Sequence, residues 1–122
     1  MLLNHFFTIS DKLVNGNELT VMLTINKDHR IFEGHFPGQP VVPGVCMMQI
    51  ILELMEQVTE KRLKLLTAQD MKFLAVINPQ ENNKVSAVVK YTEIENATFS
   101  ATATIFSNET VHFKFKGQFG SL

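Results

Sequence analysis

The chain has 122 residues, 45% hydrophobic and 19% charged, a core-forming composition at about the commonest size of one domain. Eleven basic and twelve acidic side chains leave a net charge of −1, which argues against the strong positive field that polyanion binding requires. Ten Phe stand against one Tyr and no Trp, so the aromatic surface can be buried without polar tips to satisfy, and a Phe-rich core or apolar pocket is expected.

From the N-terminus, Met1-Leu2-Leu3-Asn4-His5 lacks the basic start, long apolar run and cleavage site of a signal peptide, so an unprocessed, soluble chain is expected. Residues 6–9 make a weak strand candidate. Residues 19–25 are rich in β-branched side chains, nearly alternate, and follow the turn-forming Asn15-Gly16-Asn17, which predicts a strand. Between residues 26 and 44 lie three of the four prolines together with Gly34, Gly38 and Gly44. Such a stretch cannot continue a helix or a central strand and predicts a rigid, shaped loop.

Residues 45–65 contain no Gly or Pro and include apolar side chains at 47, 48, 51, 52, 54, 55, 58, 63 and 65, the spacing of a helix that starts buried and ends exposed. Lys61, Arg62 and Lys64 suit its C-terminus. Cys46, beside Met47 and Met48, sits where apolar surroundings raise a thiol pKa, and reads as core. As the single cysteine it cannot close an intramolecular disulfide, so a reducing, cytoplasmic compartment is expected. The most apolar run, residues 41–52, is interrupted by Pro43, Gly44 and Gln49 and is shorter than the roughly 20 residues needed to span a bilayer.

Beyond the helix the hydrophobic period changes to two, and residues 69–77, 85–91, 99–106 and 111–119 predict strands, with Asn82-Asn83 and Ser107-Asn108 as turns. In the last strand Val111, Phe113, Phe115 and Phe119 share one face while His112, Lys114, Lys116 and Gln118 take the other, so His112 is expected in solvent. Strands grouped after a lone helix predict one α+β domain over residues 1–122, an antiparallel sheet wrapped around the helix.

The stretch most informative about chemistry is His35-Phe36-Pro37-Gly38-Gln39-Pro40-Val41-Val42-Pro43-Gly44-Val45. It sets a histidine in a conformationally fixed loop nine residues before a glycine that opens a buried helix. His35 can take and give a proton near neutral pH. The amide N–H groups of Gly44 and Val45 can hold a developing negative oxygen, assisted by the helix dipole, and Gly44 lets a carbonyl approach the backbone. Removal of a proton α to a thioester carbonyl needs a base beside such an oxyanion site.

This string, with the approach Arg30-Ile31-Phe32-Glu33-Gly34, resembles the signature of hotdog-fold 3-hydroxyacyl-acyl-carrier-protein dehydratases. Lys72-Phe73-Leu74 leading to Pro79 is similar to that family's segment after the central helix. The resemblance implies a hotdog fold and a homodimer with its site across the interface. It implies an acyl-carrier-protein or acyl thioester substrate and a reaction needing neither metal nor cofactor. His35 would be the base or proton shuttle, and the Gly44 amide, with Val45, would hold the thioester oxygen. Phe32 and Phe36 would flank an acyl tunnel, with Pro37 and Phe73 among the substrate-binding residues.

The family's acidic residue lies fourteen positions after its histidine, supplied by the other subunit, and here that position is Gln49. A carboxylic acid can protonate a leaving hydroxyl; an amide only hydrogen-bonds. Gln49 can still orient the 3-hydroxyl or a water, leaving both proton transfers to His35. Glu53, one turn on, reads as a solvated residue near an interface or helix exit.

Arg30 and Lys72, among scattered surface cations, are candidates to receive an acidic carrier protein and its phosphopantetheine. No pairing of the four histidines suggests a metal site. A second reading is a catalytically weak hotdog subunit that binds acyl thioesters or pairs with an active dehydratase, with Gln49 as the sign of lost chemistry. A hotdog thioesterase is disfavoured, because the signature is that of dehydratases.

Overall fold

The computed structural model describes residues 1–34 and 40–122. Strands β1 (Phe7–Asn15) and β2 (Glu18–Ile25) form a hairpin in which Asn15 pairs with Glu18. Gly16 turns the chain at φ 62°, a left-handed conformation that glycine adopts without Cβ strain. A short helix, α1 (Ile31–Gly34), precedes the long helix α2 (Gly44–Thr59). Four strands follow: β3 (Leu63–Phe73), β4 (Lys84–Glu95), β5 (Thr98–Ser107) and β6 (Thr110–Ser121).

The strands make one sheet in the order β1-β2-β4-β5-β6-β3, every neighbouring pair antiparallel. Alternation decides its faces. Leu19, Val21, Leu23 and Ile25 of β2, Val85, Ala87 and Val89 of β4, and Phe99, Ala101, Ala103 and Ile105 of β5 are all buried. Small and large side chains pair across strands, Ala87 opposite Ile105 and Ala103 opposite both Val89 and Phe115. Against it α2 buries Cys46, Met47, Ile50, Ile51, Leu54 and Met55, and burial pushes the Cys46 thiol above its ordinary pKa. This is the hotdog arrangement, an antiparallel sheet wrapped around one helix.

The structure differs from the pattern-based expectations at several boundaries. The helix ends at Thr59, not residue 65. Glu60 enters the left-handed region at φ 57°, and the Glu56 carboxylate accepts the Leu63 N–H at 2.9 Å, starting the next strand. Consequently β3 begins at Leu63 and stops at Phe73, well before the expected end at residue 77. The weak first strand reaches Asn15, and part of the expected loop, Ile31–Gly34, is helical.

Two polar residues expected in solvent are buried. His112 is the extra residue of a bulge, since Ile105 pairs with Phe113 and Phe106 with Val111, and the bulge turns its ring inward to 6% exposure. Glu53 faces the core from α2 at 0% exposure. Among the described residues no helix is long and apolar enough to cross a membrane.

Candidate active site

His35, Phe36 and Pro37 lie outside the described residues, and α1 and α2 flank them on either side. Phe32, in α1, is buried with its ring 5.5 Å from that of Phe6. The Ile31 N–H donates to His29 Nδ1 at 3.1 Å, and Phe6 meets the His29 ring edge-on at 5.4 Å. The approach to residue 35 is thus anchored on the N-terminal segment rather than on the sheet alone.

On the other side of the signature, Pro43 caps α2 in an extended conformation, φ −61° and ψ 146°, and its carbonyl accepts from the Cys46 and Met47 amides. Proline before the first turn fixes where the helix begins. The Gly44 and Val45 N–H groups belong to that first turn, where no carbonyl a turn earlier can receive them, and they carry the positive end of the helix dipole. Val45 is 75% exposed.

Gly44 faces the Phe73 ring so closely that a Cβ there would stand 2.8 Å from Cε1. Phe73, itself 52% exposed, stacks at 5.0 Å on Phe113. Between residues 41–44 and 73–76, with Met47 at the base, lies a cleft of about 420 Å³. Its walls are apolar side chains and backbone, a lining suited to an acyl group and its thioester. A hollow of about 480 Å³ beside the β1–β2 turn is lined instead by polar groups such as Asn15, Asn17, Lys90 and Thr102, and offers no comparable apolar surface.

Two sets of bonds hold the cleft walls together. The Val42 N–H donates to the Ile77 carbonyl at 2.9 Å, tying the segment before α2 to the one after β3. From behind, the Leu74 N–H donates to the His112 carbonyl at 2.9 Å, and His112 Nδ1 lies 3.2 Å from the Ala75 carbonyl while Nε2 lies 2.7 Å from Ser107 Oγ. With Nδ1–H donated to the carbonyl, Nε2 accepts from the serine. His112 therefore braces the wall that carries Phe73. Strand alternation concealed this role, because one bulged residue changes which face a side chain takes.

Gln49 is half-buried on α2, and its Nε2 donates to Glu53 Oε2 at 2.8 Å. The same carboxylate accepts the Leu2 N–H at 3.0 and 2.8 Å and the Leu3 N–H at 2.8 Å. Glu53 thus joins the N-terminal segment to the position of interest on the helix. Its place within the apolar stripe of α2, three residues after Ile50, was a legible sign of burial. The partners in residues 2–3 carried none, because backbone amides leave no mark in a sequence.

Comparison with known proteins supplies the family. The model of the ApeI-like family, described as ApeI dehydratase, matches residues 11–116. A 3-hydroxyacyl-[acyl-carrier-protein] dehydratase FabZ of Rickettsia rickettsii is 28% identical over 112 residues, covering 85% of this chain and 77% of that protein. Among solved structures, an uncharacterized protein from Erwinia carotovora subsp. atroseptica superposes with TM-score 0.69 at 20% identity, covering 94% of each chain. The dehydratase heterocomplex ApeI:P from Xenorhabdus doucetiae gives TM-score 0.68 at 15% identity, covering 92% of this chain and 96% of that one. The solved structures share the fold; the family model spans most of the sequence, and the chain belongs to the ApeI-like dehydratase family.

Proposed function

We propose that the protein dehydrates 3-hydroxyacyl thioesters, carried on acyl-carrier protein, to trans-2-enoyl thioesters in fatty-acid or related acyl-chain biosynthesis in the cytoplasm. The observation that carries this reading is the apolar cleft at the start of α2, where Gly44 borders a surface walled by Phe73. A thioester oxygen placed on those amides gains their hydrogen bonds and the helix dipole as negative charge develops on it. His35 removes the proton at C2 and returns one to the departing hydroxyl at C3, so water leaves and the C2–C3 double bond forms. Phe32 and Phe36 flank the acyl chain, with Pro37 among the substrate-binding residues. Elimination of water in this way uses no metal or cofactor.

In this proposal Gln49 of the partner subunit binds the 3-hydroxyl or a water, and the active unit is a homodimer. β3 supports the pairing: it is an edge of the sheet, runs eleven residues, and exposes Leu65, Leu66 and Phe73. A long edge with apolar side chains is a surface that native proteins cover. Arg30 and Lys72 are the cations proposed to meet the carrier protein.

The test follows enoyl absorbance and free thiol with crotonyl and longer enoyl or 3-hydroxyacyl thioesters. Interconversion that disappears in His35→Ala is the expected result. Thiol release in place of interconversion overturns the proposal in favour of hydrolysis.

Gln49 itself favours a second reading, a weak or inactive subunit that binds acyl thioesters or pairs with an active dehydratase, since the amide cannot donate a proton as an acid does. No turnover by wild type, with turnover restored by a carboxylate at position 49, would establish it. Gln49→Glu alone sets a second carboxylate at hydrogen-bond distance from Glu53, two acceptors facing each other. The informative variant is therefore Gln49→Glu combined with Glu53→Gln.

A further inference from the structure

Among the described residues the buried Glu53 carboxylate accepts from three donors: the Leu2 and Leu3 backbone amides and Gln49 Nε2. Each of its oxygens is occupied, Oε1 by Leu2 and Leu3 and Oε2 by Leu2 and Gln49. The two ends of a glutamine amide look alike in shape, and only the hydrogen-bond network tells them apart. Here the network decides, because both Glu53 oxygens already accept backbone amides and only the NH2 end of Gln49 can give.

We propose that Glu53 is a positioning residue that locks the Gln49 amide with Nε2 inward, so that Gln49 meets a ligand with its carbonyl oxygen, an acceptor for the hydroxyl of a 3-hydroxyacyl group. This rests on the placement of Gln49 at the substrate given above. Glu53 is fully buried and Gln49 half-buried, so the part of the pair that a ligand can reach belongs to Gln49. The carboxylate is itself held from the N-terminal segment, and turning it away would strip the Leu2 and Leu3 amides of their acceptor. Rotating Gln49 by half a turn would place its Oε1 against a carboxylate oxygen, two acceptors with no hydrogen between them. A single orientation results.

The consequence is selectivity between the two ends of the reaction. A 3-hydroxyacyl thioester carries an O–H donor at C3; the trans-2-enoyl product has none there. An acceptor fixed in advance favours the hydroxy compound without ordering cost at the moment of binding. Acid–base work stays with His35, as an outward carbonyl oxygen has no proton to give.

The test measures dissociation constants of matched 3-hydroxybutyryl and crotonyl pantetheine thioesters by calorimetry in the His35→Ala background, which keeps each ligand unreacted. Binding of the hydroxy ligand is expected to be about 5- to 10-fold tighter, the effect of roughly one hydrogen bond. Gln49→Ala should bring the ratio to about one, and Glu53→Gln, which frees the Gln49 amide to turn, should lower it severalfold, with no further loss when Glu53→Gln is added to Gln49→Ala. No preference before substitution, a preference undiminished by Glu53→Gln, or an equal loss of both ligands overturns the proposal.

Should Glu53→Gln fail to fold, the wild-type protein supplies a second readout by NMR. One Nε2 proton of Gln49 is expected to exchange slowly with solvent; two protons exchanging at the rate of free glutamine overturn the assignment. The dehydratase reading fails separately, as absence of interconversion by the wild-type protein with the binding ratio intact.

Discussion

Glu53 and His112 are polar side chains set into a core of hydrocarbon, and in both cases what keeps them there is a set of partners. Burying a polar group unmatched costs several kcal/mol on the order of 2 to 7, whereas a matched one costs little. Glu53 receives the amides of Leu2 and Leu3 and the Gln49 side chain, and His112 meets Ser107 and Ala75. Gly44 is the residue where the shape of the site depends on an absent atom. A methyl at that position would meet the Phe73 ring at 2.8 Å. The obstacle is a half-exposed side chain rather than backbone, so its displacement is expected to leave Gly44→Ala within about 1 kcal/mol of wild type, helped by the better helix propensity of alanine. The same displacement removes one wall of the cleft. Thermal melts close to wild type, together with severalfold weaker binding of an acyl pantetheine thioester, are the expected pair of results.

The elements themselves are shaped by a few irregular positions. β3 carries two bulges, with Leu66 and Gln69 as the extra residues opposite β6, and these let the strand coil around the helix. Gly117 lies against the bulged strand, and a Cβ there would collide with the Thr67 carbonyl oxygen and stand 2.6 Å from Phe115 Cζ. Backbone is the obstacle, so relief would require the β3–β6 pairing to shift. Gly117→Ala is expected to cost about 2 to 4 kcal/mol, read as a lower urea midpoint at an unchanged slope. A stability within about 0.5 kcal/mol of wild type would mean that the two strands have room the geometry does not allow them. At the other end of the helix, Glu60 in the left-handed region and the Glu56 bond to the Leu63 amide separate α2 from β3. No glycine or proline marks that break, which is why hydrophobic spacing ran the helix on to residue 65.

At the scale of the molecule, the proposed site needs two chains, and β3 offers the edge along which a second copy would pair. Sedimentation equilibrium is expected to report twice the chain mass of 13.8 kDa. A 13.8 kDa species at working concentration would remove the cross-subunit site, and a dimer formed only on mixing with an active dehydratase chain would support the second reading. The sequence by itself determined the α+β class, the sheet faces and the start of the helix, because alternation, helical spacing and a proline–glycine boundary are local properties written in consecutive residues. It also carried the signature around His35 and the cleft residues Gly44 and Phe73 through resemblance. Only the tertiary structure decided where the helix stops, which way His112 turns, and that Glu53 is buried against the N-terminus. Each of those depends on hydrogen bonds or bulges that join distant parts of the chain, such as Leu2 to Glu53 and Ala75 to His112. A backbone amide or a bulged register is the same in every sequence until the chain is folded, and it acquires its partner only in three dimensions.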